Sequence, residues 1–142
     1  MLEPSSINLV IYHANCNDGF GAAYAAWKLL GNRCEYIACN HGDTPPDVTG
    51  KRVAILDFSF NNATTKELIK TADALIVIDH HKSAVVELHD ISNTIFDMTK
   101  SGAMLAWEFS TPEKNHLSLF NIFKIEIYGI GNFPTQRNFL LL

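Results

Sequence analysis

His13, Asp18, Asp57 and the triplet Asp79-His80-His81 supply carboxylate and imidazole, the side-chain types that hold hard and borderline divalent cations. A carboxylate able to bridge suits two such ions. That arrangement points to two-metal phosphoryl chemistry, in which the ions activate water and neutralise charge on the phosphate oxygens. A second histidine beside a ligating one would then face the substrate, holding a phosphate oxygen or protonating the leaving group.

These residues matter together only if the chain brings them together. The β-branched apolar run 7–12 stops at His13, and the polar, Gly-containing stretch 13–21 reads as a turn before a helix over 22–30. Gly31-Asn32 ends that helix. Residues 34–39 read as a short strand, and the breaker-rich loop 40–50 follows. A buried-type strand over 52–56 stops at Asp57. Residues 61–65 offer caps for a helix through Lys70, and a second buried-type strand over 74–78 stops at Asp79. A last short strand is expected over 93–96, and a helix over 101–109. Alternating strands and helices with continuous apolar runs predict an α/β fold. More specifically, they predict a three-layer, Rossmann-like domain with a mainly parallel sheet flanked by helices. Ligands of such sheets bind at the carboxyl ends of the strands. Three apolar runs end there in polar clusters: His13 to Asp18, Asp57, and Asp79-His80-His81.

The 142 residues suffice for one domain with one core, so a second full domain has no room. At 47% hydrophobic and 18% charged the chain lies in the globular range. Its formal net charge of -4 supplies no basic field for nonspecific duplex binding, so any nucleic acid would be met locally through a metal. Met1-Leu2-Glu3-Pro4 has no basic n-region, and no apolar run approaches a membrane span. Three cysteines, Cys16, Cys34 and Cys39, lack framework spacing and suggest reduced thiols in the cytosol. Asn62-Ala63-Thr64 then reads as an accidental sequon.

At the chemical residues the chain resembles the DHH phosphoesterase superfamily. Ile78-Asp79-His80-His81 is similar to its signature motif, and Tyr12-His13-Ala14-Asn15-Cys16-Asn17-Asp18-Gly19 to its first. Asp57 falls where the second motif has a metal-bridging Asp. Thr99-Lys100-Ser101-Gly102-Ala103-Met104-Leu105-Ala106-Trp107 resembles the helix that follows in one branch. The resemblance runs from about residue 7 to 109. It implies His13, Asp18, Asp57 and His80 as ligands of a centre of two Mn2+ or two Mg2+ ions, with Asp57 bridging. It also implies His81 against the phosphate and Asp79 orienting a histidine through its ring N–H. Ser101 and Gly102 would contact substrate phosphate. The family's first motif commonly has Asp-x-Asp, and here Cys16 takes the first slot. A thiol suits Mg2+ poorly and shifts that position toward Mn2+ or Zn2+, which makes Cys16 a further candidate ligand.

Other residues receive plainer readings. His41, His89 and His116 have no neighbour at ligand spacing and read as surface or core residues. Cys34 and Cys39 form no Cys-x-x-Cys pair, which leaves little support for a zinc cluster. Trp27 and Trp107 read as core rather than base-stacking platforms. Gly19-Phe20-Gly21 lacks the Lys-Ser/Thr of a P-loop.

All eight Asp residues lie at or before Asp97, whereas residues 115–142 hold one acid, Glu126. The sequence therefore divides into a partial catalytic domain over 1–112 and a divergent apolar tail over 113–142. The related branch continues with Gln-Asp-Arg-Asp-Leu-Trp and then Leu-Pro-Asn-Ser-Lys-Glu-Phe, the first bearing a further metal-site acid. Back-translation of residues 124–131 and 133–139 in shifted frames permits most of the first string and all of the second. The expectation is thus a reading-frame shift after Phe109, with a divergent apolar tail as the alternative.

The resemblance implies hydrolysis of a phosphodiester or phosphoanhydride in a short oligonucleotide, a nucleotide or polyphosphate, so the expected partner is a small phosphorylated substrate or a short single-stranded nucleic acid. No membrane partner is expected, and a homodimer is compatible with the sequence. The alternatives are an inactive metal- or nucleotide-binding module, or a nonfunctional fragment.

Overall fold

The computed structural model describes residues 2–112. Its strands are β1 (Leu9–His13), β2 (Glu35–Cys39), β3 (Arg52–Leu56), β4 (Ala74–Asp79) and β5 (Thr94–Phe96). Its α-helices are α1 (Asn17–Leu30), α2 (Asn62–Thr71), α3 (Lys82–Glu87) and α4 (Gly102–Ser110). All strand pairs are parallel, in the order β2-β1-β3-β4-β5. The fold is α/β, as expected.

The central strands β1, β3 and β4 carry continuous apolar runs because both faces of the sheet are covered there. Val10, Tyr12, Ala54, Leu56, Ile76 and Ile78 face one core, with Ala22, Ala23 and Ala26 of α1 and Leu105, Ala106 and Trp107 of α4. Leu9, Ile11, Val53, Ile55, Leu75 and Val77 face the other, with Leu68 of α2, Phe58 and Phe60. Each fully buried aliphatic side chain contributes roughly 1.5–3 kcal/mol relative to exposure. The alanines of α1 keep that helix slim where it lies against both β1 and α4.

The strand order creates the place for a site. From β1 the chain passes through α1 to β2 on one side, then returns to the other side of β1 for β3. The connections leaving β1 and β3 therefore diverge to opposite faces, and a crevice opens between their carboxyl ends.

Some elements differ from the sequence reading. The first helix begins at Asn17 rather than at residue 22. Its polar, Gly-containing first turn looks like a loop locally, but Asp18 is held by another helix and Gly19 packs on the His13 carbonyl, where a Cβ would overlap. The strand β4 includes Asp79, and α3 was not anticipated, since six residues with adjacent Val85 and Val86 carry little helical signal. Asn61 and Ser101 are the N-caps of α2 and α4, accepting from the N–H groups of Thr64 at 2.9 Å and Met104 at 3.2 Å. Trp107 is core, whereas Trp27 is half-buried and stacked on Tyr24. The 113–142 tail, its reading-frame expectation and His116 lie outside the described residues. Among those described, no helix is long and apolar enough to cross a membrane.

Candidate metal centre

The carboxyl ends of β1, β3 and β4 meet at Asp57. Its backbone has φ 53°, a left-handed conformation that Asp tolerates better than most residues, and it turns the carboxylate into the crevice. The side chain is 1% exposed. His80 Nε2 lies 3.1 Å from Asp57 Oδ1 and 3.3 Å from Asp18 Oδ2, while His13 Nδ1 lies 3.8 Å from Asp57 Oδ2. The Cys16 thiol points at the same Oδ2 from 3.7 Å. His13, Cys16 and His80 are thus gathered around one carboxylate, and Asp18 reaches the cluster through His80.

Two groups of donor atoms, each within 4.8 Å of one another, share Asp57: one adds Asp79, His80 and His81, the other His13 and Cys16. Among the described residues, His13 Nδ1 and Asp57 Oδ1 are buried without a hydrogen-bond partner. His80 approaches Asp57 Oδ1 closely but is not aligned as a hydrogen bond. A buried acceptor left this way costs free energy that a cation would recover. These buried acidic and histidine residues could hold a metal ion.

The electrostatics agree with that fit. Burial, then the Asp18 charge, pushes Asp57 up to about 6, with His80 and His81 opposing. Two carboxylates in one crevice resist sharing negative charge unless a cation joins them. Burial also lowers His13, reinforced by His41 and His81, and favours the neutral ring that a metal requires.

Asp79 is buried and organises the turn after β4. Its Oδ1 accepts from the N–H of His80 at 2.7 Å and of His81 at 3.2 Å, and lies 2.6 Å from His81 Nδ1. The histidine that Asp79 orients is therefore His81. With Nδ1 so engaged, Nε2 is the ring atom left for a ligand or substrate. Burial works against charge on His81, but the Asp79 hydrogen bond and the surrounding carboxylates outweigh it and raise its pKa.

Asp18 joins the site to the start of α4. Asp18 accepts from the N–H of Gly102 at 2.8 Å and of Ala103 at 2.7 Å, so these first-turn donors are satisfied by a carboxylate from α1. The Gly102 N–H is accordingly engaged by Asp18 rather than presented to a substrate phosphate. Ser101 Oγ caps its own helix. Gly102 has another role: a Cβ there would overlap the Asp57 carboxylate.

His41, read as a surface or core histidine, is exposed and lies beside the site without belonging to either donor group. Its exposed ring lies 5.5 Å from that of His13 and 5.0 Å from that of Phe58. Its position just after β2 was a signal, but only the order placing β2 beside β1 makes it one. Cys34 and Cys39 are outside both donor groups, and burial pushes Cys34 up to about 11 and raises Cys39.

Comparison with known proteins finds one similar sequence and one similar fold. The chain is 32% identical over 132 residues to the uncharacterized protein R106 of Acanthamoeba polyphaga mimivirus, an alignment covering 80% of this chain and 31% of that protein. It thus spans less than a third of that viral relative. A solved structure of an uncharacterized protein from Helicobacter pylori G27 matches with a TM-score of 0.62 at 13% identity, over 82% of this chain and 39% of that one. That likeness is one of fold. No family model matches.

Proposed function

We propose that this chain carries the metal-dependent active site of a phosphoesterase that hydrolyses a phosphodiester or phosphoanhydride. The observation that carries the reading is the pair of donor groups sharing the buried Asp57 carboxylate at the sheet's switch point. Asp57, with His80 on one side and His13 and Cys16 on the other, would hold divalent cations, and the carboxylate and imidazole donors beside His80 suit Mn2+ or Mg2+. When bound, the ions would supply charge neutralisation for a phosphoryl group and activation of water. The ordered resemblance of the motifs at His13, Asp57 and Asp79-His80-His81 to DHH phosphoesterases supports the reaction class. It also supports the range of substrates: a small phosphorylated molecule, a short single-stranded nucleic acid or polyphosphate.

The protein's own groups divide the remaining work. Asp79 fixes the His81 ring and favours its protonated form, so His81 can hold a phosphate oxygen or pass a proton from Nε2 to the leaving oxygen. Asp57, buried and strained in backbone, stays in place because α4 closes against it at Gly102. His41 borders the crevice on the β2 side. Three thiols outside any disulfide fit a reducing, cytosolic setting.

The test is Mn2+-dependent hydrolysis of bis(p-nitrophenyl) phosphate and of polyphosphate, comparing the full chain with His80→Ala and Asp57→Ala. Turnover lost in both variants supports the assignment. A rate that survives both substitutions sinks it, and Mn2+ binding without turnover would make the chain a binding module instead.

A further inference from the structure

We propose that His13, Cys16 and Asp57 form a thiol-bearing metal position that takes a borderline divalent cation such as Zn2+ or Co2+ in preference to Mg2+, with Asp18 positioning the site rather than ligating that ion. This rests on the metal-centre reading above but not on phosphoester chemistry. The two donor groups around Asp57 differ in kind. One, with Asp79, His80 and His81, offers only carboxylate and imidazole; the other contains sulfur. Soft and borderline ions favour thiolate, and Mg2+ avoids it.

The Cys16 thiol is arranged as a donor. Cys16 is the residue before α1, where a side chain commonly caps the helix, yet it makes no capping hydrogen bond. It faces Asp57 Oδ2 instead. Asn15, immediately before it, has φ 54°, which bends the chain so that the thiol enters the crevice. Two further observations point to a cation there: His13 Nδ1 is buried without a hydrogen-bond partner, and the Asp57 Oδ2 that both His13 and Cys16 face belongs to a carboxylate only 1% exposed. Asp18, in contrast, belongs to neither donor group, and both of its oxygens accept N–H groups of α4. Its orientation is set by that helix.

The full chain, kept reduced and free of oxygen, is titrated with Co2+ alone. The expected result is a sulfur-to-cobalt charge-transfer absorption in the near ultraviolet that Zn2+ abolishes and excess Mg2+ leaves unchanged. Cys16→Ser removes the band and weakens Zn2+ binding by at least about tenfold, while Cys34→Ser, Cys39→Ser and Asp18→Asn keep the band. Circular dichroism of each variant checks that the fold persists. No band in the parent chain, a band that survives Cys16→Ser, or one lost in folded Asp18→Asn overturns the proposal. A band without phosphoester turnover would sink the proposed reaction and leave this site standing, whereas no Co2+ binding at all would sink both.

Discussion

Gly102 packs so closely on the carboxylate of Asp57 that no side chain fits between them. The first turn of α4 is therefore the wall against which the shared carboxylate rests, and the same turn is anchored by Asp18. Gly102→Ala should push Asp57 aside or lift α4, costing about 1–3 kcal/mol as overpacking and weakening Mn2+ affinity. Thermal melting and Mn2+ titration of the variant check both effects.

Asp18→Ala should destabilise the fold by roughly 1–3 kcal/mol, because two backbone donors at a helix start lose a charged acceptor. Asp18→Asn, which retains one acceptor oxygen, should cost less. Denaturant unfolding of the two variants measures the difference.

On the proposed reading, in which the His81 ring acts on substrate, His81→Ala should lower kcat by about 10²- to 10⁴-fold while Mn2+ binding persists. Asp79→Asn should lower activity less and shift the limb of the pH–rate profile assigned to His81 toward lower pH, because the anionic partner that raises its pKa is gone. Steady-state kinetics across pH, with Mn2+ affinity measured in parallel, tests both.

The metal-free protein should show a pH dependence that Asp57 dictates. Its pKa is raised from an ordinary carboxylate value to about 6 in the fold, so the folded state binds the extra proton. That contribution is complete below the unfolded pKa and is lost as pH rises through about 6. His13, lowered in the fold, acts in the opposite sense, gaining stability as pH rises toward its ordinary value, so the Asp57 share is read by difference. Asp57→Asn keeps a residue type that tolerates the left-handed backbone. It should stabilise the metal-free protein at pH 7.5 by about 1–3 kcal/mol relative to the parent and have little effect at pH 4. Equal Tm differences at the two pH values would contradict the shift.

The residue types and local periodicity determined much by themselves. Continuous apolar runs at β1, β3 and β4 announced a sheet buried on both faces, and Asn61 and Ser101 announced helix starts by their capping chemistry. The residues with metal-binding chemistry were legible because each cluster ends an apolar run. Three things required the tertiary structure: the grouping of donors around Asp57, the engagement of Asp18 by α4, and the arrival of His41 beside His13. Each depends on which strands lie side by side and which helix closes over their ends. Contacts across 40 or 80 residues of chain, such as Cys16 to Asp57 and Asp18 to Gly102, leave no periodic trace in the sequence between them.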